Sequence, residues 1–288
     1  MKPVCRIFRA EVMGYCMGVR RAVEATEKAL LDSNIRPVYT YGPLIHNPQA
    51  LERLAESGVV VVGSGYAPLP DNFSGASVVI RAHGIPPEER RELQRRGAKL
   101  VDATCPRVLS SQKRAHIWHE KGYTVYLAGD RDHGEITGIE GYAPGCVVLE
   151  NREDAEHLEN YPDRAVLISQ TTIKQSEYDE IAAVLAAHIR DLVVLNTICP
   201  ATLERQKALE VMAAQVDGIL VIGGKNSANT QRLAATARQL CTHAWHIETP
   251  AEIPQEAFLL ERIGITAGAS TPDEIIDAVE QAVKKGYS

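Results

Sequence analysis

The sequence predicts an α/β protein built from three similar blocks, and three observations carry that expectation. A cysteine–proline tract recurs, with Val101-Asp-Ala-Thr-Cys-Pro106 answered by Leu195-Asn-Thr-Ile-Cys-Pro200. Apolar, strand-like runs repeatedly give way to polar loops. The distances from each cysteine to those loops also match. His46 and His83 lie 30 and 67 residues after Cys16, and His133 and Thr171 lie 28 and 66 after Cys105. Ser227 and Ser270 lie 28 and 71 after Cys199. Self-similarity at a fixed period, here about 90 residues, marks one structural unit used several times. It overrides the two domains that a length of 288 residues alone suggests.

The elements follow in order. A strand over about residues 6 to 12 precedes Cys16, as other strand-rich runs precede Cys105 and Cys199, so it is expected to complete the sheet of the third block. Cys16 opens a helix over about 19 to 31. The first block then has strands at Val38-Tyr-Thr-Tyr-Gly, leading to His46-Asn47, and at Val78-Val-Ile-Arg-Ala-His83. In the second, a helix from Pro106 to about Lys121 follows Cys105. Its strands are Val125-Tyr-Leu-Ala-Gly-Asp, leading to His133-Gly-Glu135, and Ala165-Val-Leu-Ile-Ser-Gln, leading to Thr171. In the third, a helix over about 201 to 215 follows Cys199. Its strands are Ile219-Leu-Val-Ile-Gly-Gly, leading to Ser227-Ala-Asn229, and Ile263-Gly-Ile-Thr-Ala-Gly-Ala, leading to Ser270. Proline after Cys105 and Cys199 suits the first helical position, where its missing N–H costs nothing. The expected domains are residues 14–104, 105–198 and 199–288, with 1–13 added to the last.

A net charge of -6 argues against nucleic acid as a partner, because phosphate-backbone binding needs a basic face. No apolar run is long enough for a membrane span, and the N-terminus has no signal-peptide core, so a soluble cytoplasmic protein is expected. The six cysteines include no Cys-x-x-Cys pair. Cys16, Cys105 and Cys199 are equivalent under the repeat and would meet only through the fold. Three such thiolates suit a zinc ion with one open position or a [4Fe–4S] cluster with one iron left free. Cys5, Cys146 and Cys241 have no repeated counterpart and are read as structural. His116, His119, His157, His188, His243 and His246 are read as structural or surface residues. The polar loops present strand-end residues where α/β sheets place ligands. Glu135 is the one carboxylate among them and is read as a proton donor working through Thr171 or water. The histidines, hydroxyls and amide are hydrogen-bond donors suited to phosphate oxygens.

Nine motifs in order carry a family resemblance. They are Gly-Tyr-Cys16-Met-Gly-Val, Ile-His46-Asn, Ala-His83-Gly, Asp-Ala-Thr-Cys105-Pro, His133-Gly-Glu135, Gln-Thr171-Thr, Ile-Cys199-Pro-Ala-Thr, Lys-Asn-Ser227-Ala-Asn229 and Ala-Gly-Ala-Ser270. Together they resemble the LytB-type 4-hydroxy-3-methylbut-2-enyl diphosphate reductases over about residues 6 to 280. The resemblance implies a pseudo-threefold trefoil of three α/β domains around one [4Fe–4S] cluster per chain, held by Cys16, Cys105 and Cys199. It implies that the free iron takes the substrate hydroxyl, which two electrons and two protons remove as water. The products would be isopentenyl and dimethylallyl diphosphate, at the last step of the methylerythritol phosphate route. Glu135 and Thr171 match the proton relay. His46, His83, Ser227, Asn229 and Ser270 match diphosphate-binding positions, and His133 matches a histidine on the same wall, near both diphosphate and relay. A ferredoxin or flavodoxin would supply electrons. One pocket residue departs from the pattern: Ala228 stands where the family often has serine, removing a hydroxyl bond unless Thr230, a backbone N–H or water replaces it. Two other readings remain at this point, a zinc-dependent hydrolase and a non-catalytic iron–sulfur protein.

Overall fold

The computed structural model describes residues 6–32 and 37–286, so Cys5 lies outside the described residues. Strand β1 (Arg6–Arg9) comes first. The first block runs α1 (Met17–Leu31), β2 (Val38–Tyr41), α2 (Pro48–Glu56), β3 (Val59–Val62), β4 (Ser77–Ile80), α3 (Pro87–Arg95) and β5 (Lys99–Asp102). The second runs α4 (Pro106–Glu120), β6 (Thr124–Ala128), α5 (Gly134–Glu140), β7 (Val147–Leu149), α6 (Arg152–Glu156), β8 (Arg164–Ser169), α7 (Gln175–His188) and β9 (Asp191–Leu195). The third runs α8 (Pro200–Ala213), β10 (Gly218–Ile222), α9 (Ala228–Leu240), β11 (His243–Ile247), β12 (Arg262–Ala267) and α10 (Asp273–Gly286).

The strands form three separate four-stranded parallel sheets, ordered β3-β2-β4-β5, β7-β6-β8-β9 and β11-β10-β12-β1. The order is the same in all three: an edge strand, two central strands, then the strand that leads into a cysteine. β1 fills the last place in the third sheet, with Arg6 opposite Arg262 and Arg9 opposite Ile265. The α/β architecture of three similar units predicted from the repeat is therefore the one observed. The edge strands β3, β7 and β11 are additions to that reading.

The chain divides into two compact units. Among the described residues, the first unit holds those up to Arg20, Ile45–Ser57 and those from Pro200 onward; it contains the third sheet and α2. The second holds Arg21–Leu44 and Gly58–Cys199, and so contains the other two sheets. α1 runs across the boundary between them in the chain.

Parallel strands buried on both faces must be apolar throughout, with successive side chains serving opposite layers. In the first unit, Ile219 and Val221 of β10 pack with Leu209 and Met212 of α8 and Leu233 of α9. Their neighbours Leu220 and Ile222 pack on the other side with Ile276, Val279 and Val283 of α10. The second unit repeats the scheme: Val125 and Leu127 of β6 face Ala115 of α4 and Ile136 and Ile139 of α5. Tyr126 and Ala128 face Tyr178, Ile181 and Leu185 of α7. These cores fix the strand ends, and the polar loops hang from them.

Candidate active site

Each repeated cysteine immediately precedes a helix, Cys16 before α1, Cys105 before α4 and Cys199 before α8. Their backbone bonding is also equivalent. The Cys16 N–H donates to the carbonyl of Ala269 at 3.1 Å, Cys105 to Ala82 at 2.9 Å and Cys199 to Thr171 at 2.9 Å. Each acceptor lies two residues beyond the end of a central strand, β12, β4 or β8. The Val19 N–H reaches the Cys16 Sγ at 3.5 Å. All three thiols are half-buried and free of disulfides. Thiolates at helix N-termini are favoured by the dipole and by unpaired N–H groups, and a soft sulfur donor set suits iron–sulfur chemistry. Each of the three thiols thus has the chemistry of a cluster ligand. Cys146 and Cys241 differ. Burial, and Glu140 nearby, push the Cys146 thiol up to about 11, and the Cys241 Sγ donates to the carbonyl of Asp217.

In the second unit, the Glu135 side chain is buried in the first turn of α5. Thr171 holds both of its oxygens: the Thr171 N–H donates to Oε1 at 2.8 Å and the hydroxyl to Oε2 at 2.6 Å. Thr171 is in turn the residue whose carbonyl receives the Cys199 N–H. One threonine thus ties the carboxylate to a cysteine loop. His133 caps α5, its Nδ1 accepting the N–H of Glu135 at 3.1 Å. A neutral imidazole that accepts at Nδ1 carries its proton on Nε2, so His133 is set as a donor from that atom. The His83 ring lies 4.9 Å away, edge to face. Glu135, Thr171, His133 and His83 form one polar wall within this unit.

The first unit holds a different set. Ser227 caps α9, its Oγ accepting the N–H of Thr230 at 3.4 Å. Its hydroxyl proton remains for a ligand. The N-terminal turn of α9 adds its own N–H groups and positive dipole end, the usual attraction for a phosphate. Asn229 is buried, and its Nδ2 has no hydrogen-bond partner. A buried amide donor left unpaired is costly unless a ligand completes it. The Ser270 hydroxyl donates to the His46 carbonyl at 3.1 Å. Close approach at the strand ends depends on glycine. A Cβ on Gly224 would lie 2.2 Å from the His46 carbonyl oxygen, and one on Gly268 1.9 Å from the Thr230 Oγ1. The Gly223 carbonyl bonds the His246 ring at 2.8 Å, a structural role for that histidine. Thr230, beside the missing serine position, is fully buried next to Gly223 and Gly268, and its Oγ1, like the Asn229 Nδ2, has no hydrogen-bond partner.

Two functional-looking residues were not read from the sequence. Arg205 is taken up below. Arg81, two residues before His83, is buried against Gly42 and Gly134. Burial pulls its guanidinium below the ordinary arginine value, against the opposing pull of Glu89 and Tyr41. An arginine ending an otherwise apolar strand run was the available signal. Gly134 lies between His133 and Glu135, and a Cβ there would meet the Arg81 Nη2 at 2.2 Å. Ala is the better helix former by roughly 1 kcal/mol, but overpacking a buried site costs roughly 1–3 kcal/mol. Gly134→Ala is therefore expected to lower the melting midpoint, measured by circular dichroism; an increase would show that Arg81 moves aside freely.

A three-sheet α/β protein with a cysteine before each of three helices and polar side chains at the strand ends defines the class. The LytB protein model matches residues 7–284, and the chain belongs to that family. A Treponema denticola protein named 4-hydroxy-3-methylbut-2-enyl diphosphate reductase is 49% identical over 286 residues, covering 96% of this chain and 99% of its own. An Aquifex aeolicus protein of the same name is 40% identical, covering 97% and 96%. The solved structure of an (E)-4-hydroxy-3-methyl-but-2-enyl diphosphate reductase, described as the terminal enzyme of the non-mevalonate pathway, superposes with a TM-score of 0.70. That chain is 38% identical, with 97% of this chain and 99% of that one covered. The Plasmodium falciparum E-1-hydroxy-2-methyl-but-2-enyl-4-diphosphate reductase superposes with a TM-score of 0.87 at 27% identity, with 97% and 88% covered. The family is the one the nine motifs resembled, and its members are iron–sulfur oxidoreductases.

Proposed function

We propose that this chain reduces 4-hydroxy-3-methylbut-2-enyl diphosphate to isopentenyl and dimethylallyl diphosphate, removing the allylic hydroxyl as water with two electrons and two protons. The observation that carries the reading is the threefold equivalence of Cys16, Cys105 and Cys199, each opening a helix and each tied by its N–H to a central strand end. In this reading the three thiolates hold one [4Fe–4S] cluster per chain, and the domains are residues 14–104, 105–198 and 199–288 with 1–13. When bound, that cluster supplies the electrons and a Lewis-acid iron for the alcohol.

The residues of the chain do the rest. Glu135 holds the proton and Thr171 passes it, since the threonine hydroxyl can accept from a protonated carboxyl while donating onward. His133 and His83 line that wall. The diphosphate sits at the N-terminus of α9 with Ser227 and Asn229, and Ser270 turns its hydroxyl from the His46 carbonyl to a phosphate oxygen. His46 adds a ring donor. The electron donor is a ferredoxin or flavodoxin, and the setting is cytoplasmic. No described helix is long and apolar enough to cross a membrane.

The reading is tested by anaerobic reconstitution followed by iron, sulfide and zinc analysis and by mass spectrometry of products. Iron and sulfide together with both C5 diphosphates support it; zinc without sulfide overturns it. Ala228 gives a graded check. A hydrogen bond to a charged group is worth roughly 1.5–3 kcal/mol, and each 1.4 kcal/mol is about tenfold in affinity. Ala228→Ser is therefore expected to lower KM by about tenfold or more with kcat little changed. An unchanged KM would mean that residue 228 does not face the diphosphate.

A further inference from the structure

The three cysteine loops are alike at the cysteine and unlike just before it. Three residues before Cys105, the Asp102 Oδ1 accepts the N–H of Thr104 at 3.0 Å and its hydroxyl at 2.6 Å. Three residues before Cys199, the Asn196 Oδ1 accepts the N–H of Ile198 at 3.0 Å. Both are local side-chain braces of the kind Asp and Asn supply in turns. The corresponding residue before Cys16 is Met13, which has no oxygen to do this. The chain instead reaches Cys16 through Gly14 at φ +73°, where a Cβ would lie 2.9 Å from the Asp273 Oδ1. The Gly14 carbonyl accepts a 2.6 Å bond from the Arg205 Nη2.

Arg205 lies in α8, the helix that Cys199 opens, and is 3% exposed. Its Nη1 donates to the Ala201 carbonyl in the first turn at 2.9 Å. Burying a guanidinium is expensive unless its donors are used; here Nη1 and Nη2 are used, each on a backbone carbonyl. Only arginine offers two such donors in a fixed plane; lysine offers a point charge.

We infer that Arg205 is the positioning residue for Cys16, replacing through a remote bond the local brace that Asp102 and Asn196 give the other two loops. The inference rests on the proposed function in taking Cys16 as a ligand. It ties the approach to Cys16 to a side chain 191 residues away in sequence.

The test uses the full chain without metal, alkylated with iodoacetamide and resolved by peptide mass spectrometry, so that each thiol reports its own rate. Arg205→Gln is expected to raise the Cys16 rate severalfold relative to Cys105 and Cys199. Arg205→Lys, which keeps the charge but loses the fork, is expected to raise it less. Asn196→Ala is expected to change Cys199 alone. After anaerobic reconstitution, iron and sulfide per chain should fall in the order wild type, Lys, Gln. Equal rate changes at all three thiols, or none, in variants that keep the wild-type melting transition would overturn the inference. Should Arg205→Gln fail to fold, the rate ratio in Arg205→Lys decides alone. Should the wild type take up no iron and sulfide, the cluster reading fails, while the alkylation ratios still decide the role of Arg205.

Discussion

Replacing Glu135 by Gln is expected to cut substrate-dependent turnover by roughly two to four orders of magnitude, the usual worth of a positioned general acid. Iron and sulfide content should stay at the wild-type level. The geometry gives the reason for both halves of that result. The Glu135 carboxylate accepts two bonds from Thr171, and a glutamine of the same shape still accepts one of them. The fold around Thr171, and with it the Cys199 N–H bond to the Thr171 carbonyl, is largely kept. What glutamine lacks is a transferable proton. Thr171→Val separates the two roles further, since it keeps the backbone bond to Oε1 and removes only the hydroxyl. It should lower kcat while leaving KM within a few-fold of wild type. Full activity in Glu135→Gln would mean that water delivers the protons and that the buried pair is structural.

The second large effect is expected at Gly224→Ala. The added methyl would sit 2.2 Å from the carbonyl oxygen of His46 and 3.0 Å from its carbonyl carbon, both backbone atoms that no rotamer change can clear. His46 and the Ser270 hydroxyl that donates to its carbonyl must move together. On the proposed reading that displaces two diphosphate donors at once. Losing even one charge-assisted bond costs roughly 1.5–3 kcal/mol, so KM should rise by more than about tenfold per donor lost. The melting midpoint should fall as well, because overpacking typically costs roughly 1–3 kcal/mol. Ser227→Ala, which adds no bulk, keeps the test independent of folding: it too should raise KM. Unchanged KM in both variants would move the diphosphate away from α9.

The fold was legible because the repeat is written in residue types with strict backbone demands. Proline after Cys105 and Cys199 marks helix starts, and β-branched runs such as Val78-Val-Ile and Ile219-Leu-Val-Ile mark buried strands. The edge strands were harder, since β7 is three residues long and β11, His243–Ile247, is polar and aromatic, with little periodicity to read. The grouping of residues 45–57 with the third sheet has no sequence signal at all, being set by tertiary contact. Within the site, the side-chain identities were visible but their bonding was not. Nothing in His133-Gly-Glu135 says that the histidine caps the helix carrying the glutamate, or that Thr171 binds it twice. Arg205 was invisible for the same reason: its partner is a carbonyl, and every residue has one.

The most direct measurement is anaerobic oxidation of reduced methyl viologen by the reconstituted protein, with and without 4-hydroxy-3-methylbut-2-enyl diphosphate. Reductase function predicts oxidation only when the diphosphate is present, with two viologens consumed per substrate as two electrons remove one hydroxyl. No substrate-dependent oxidation by protein shown to contain iron and sulfide would contradict it and leave a cluster protein without this activity.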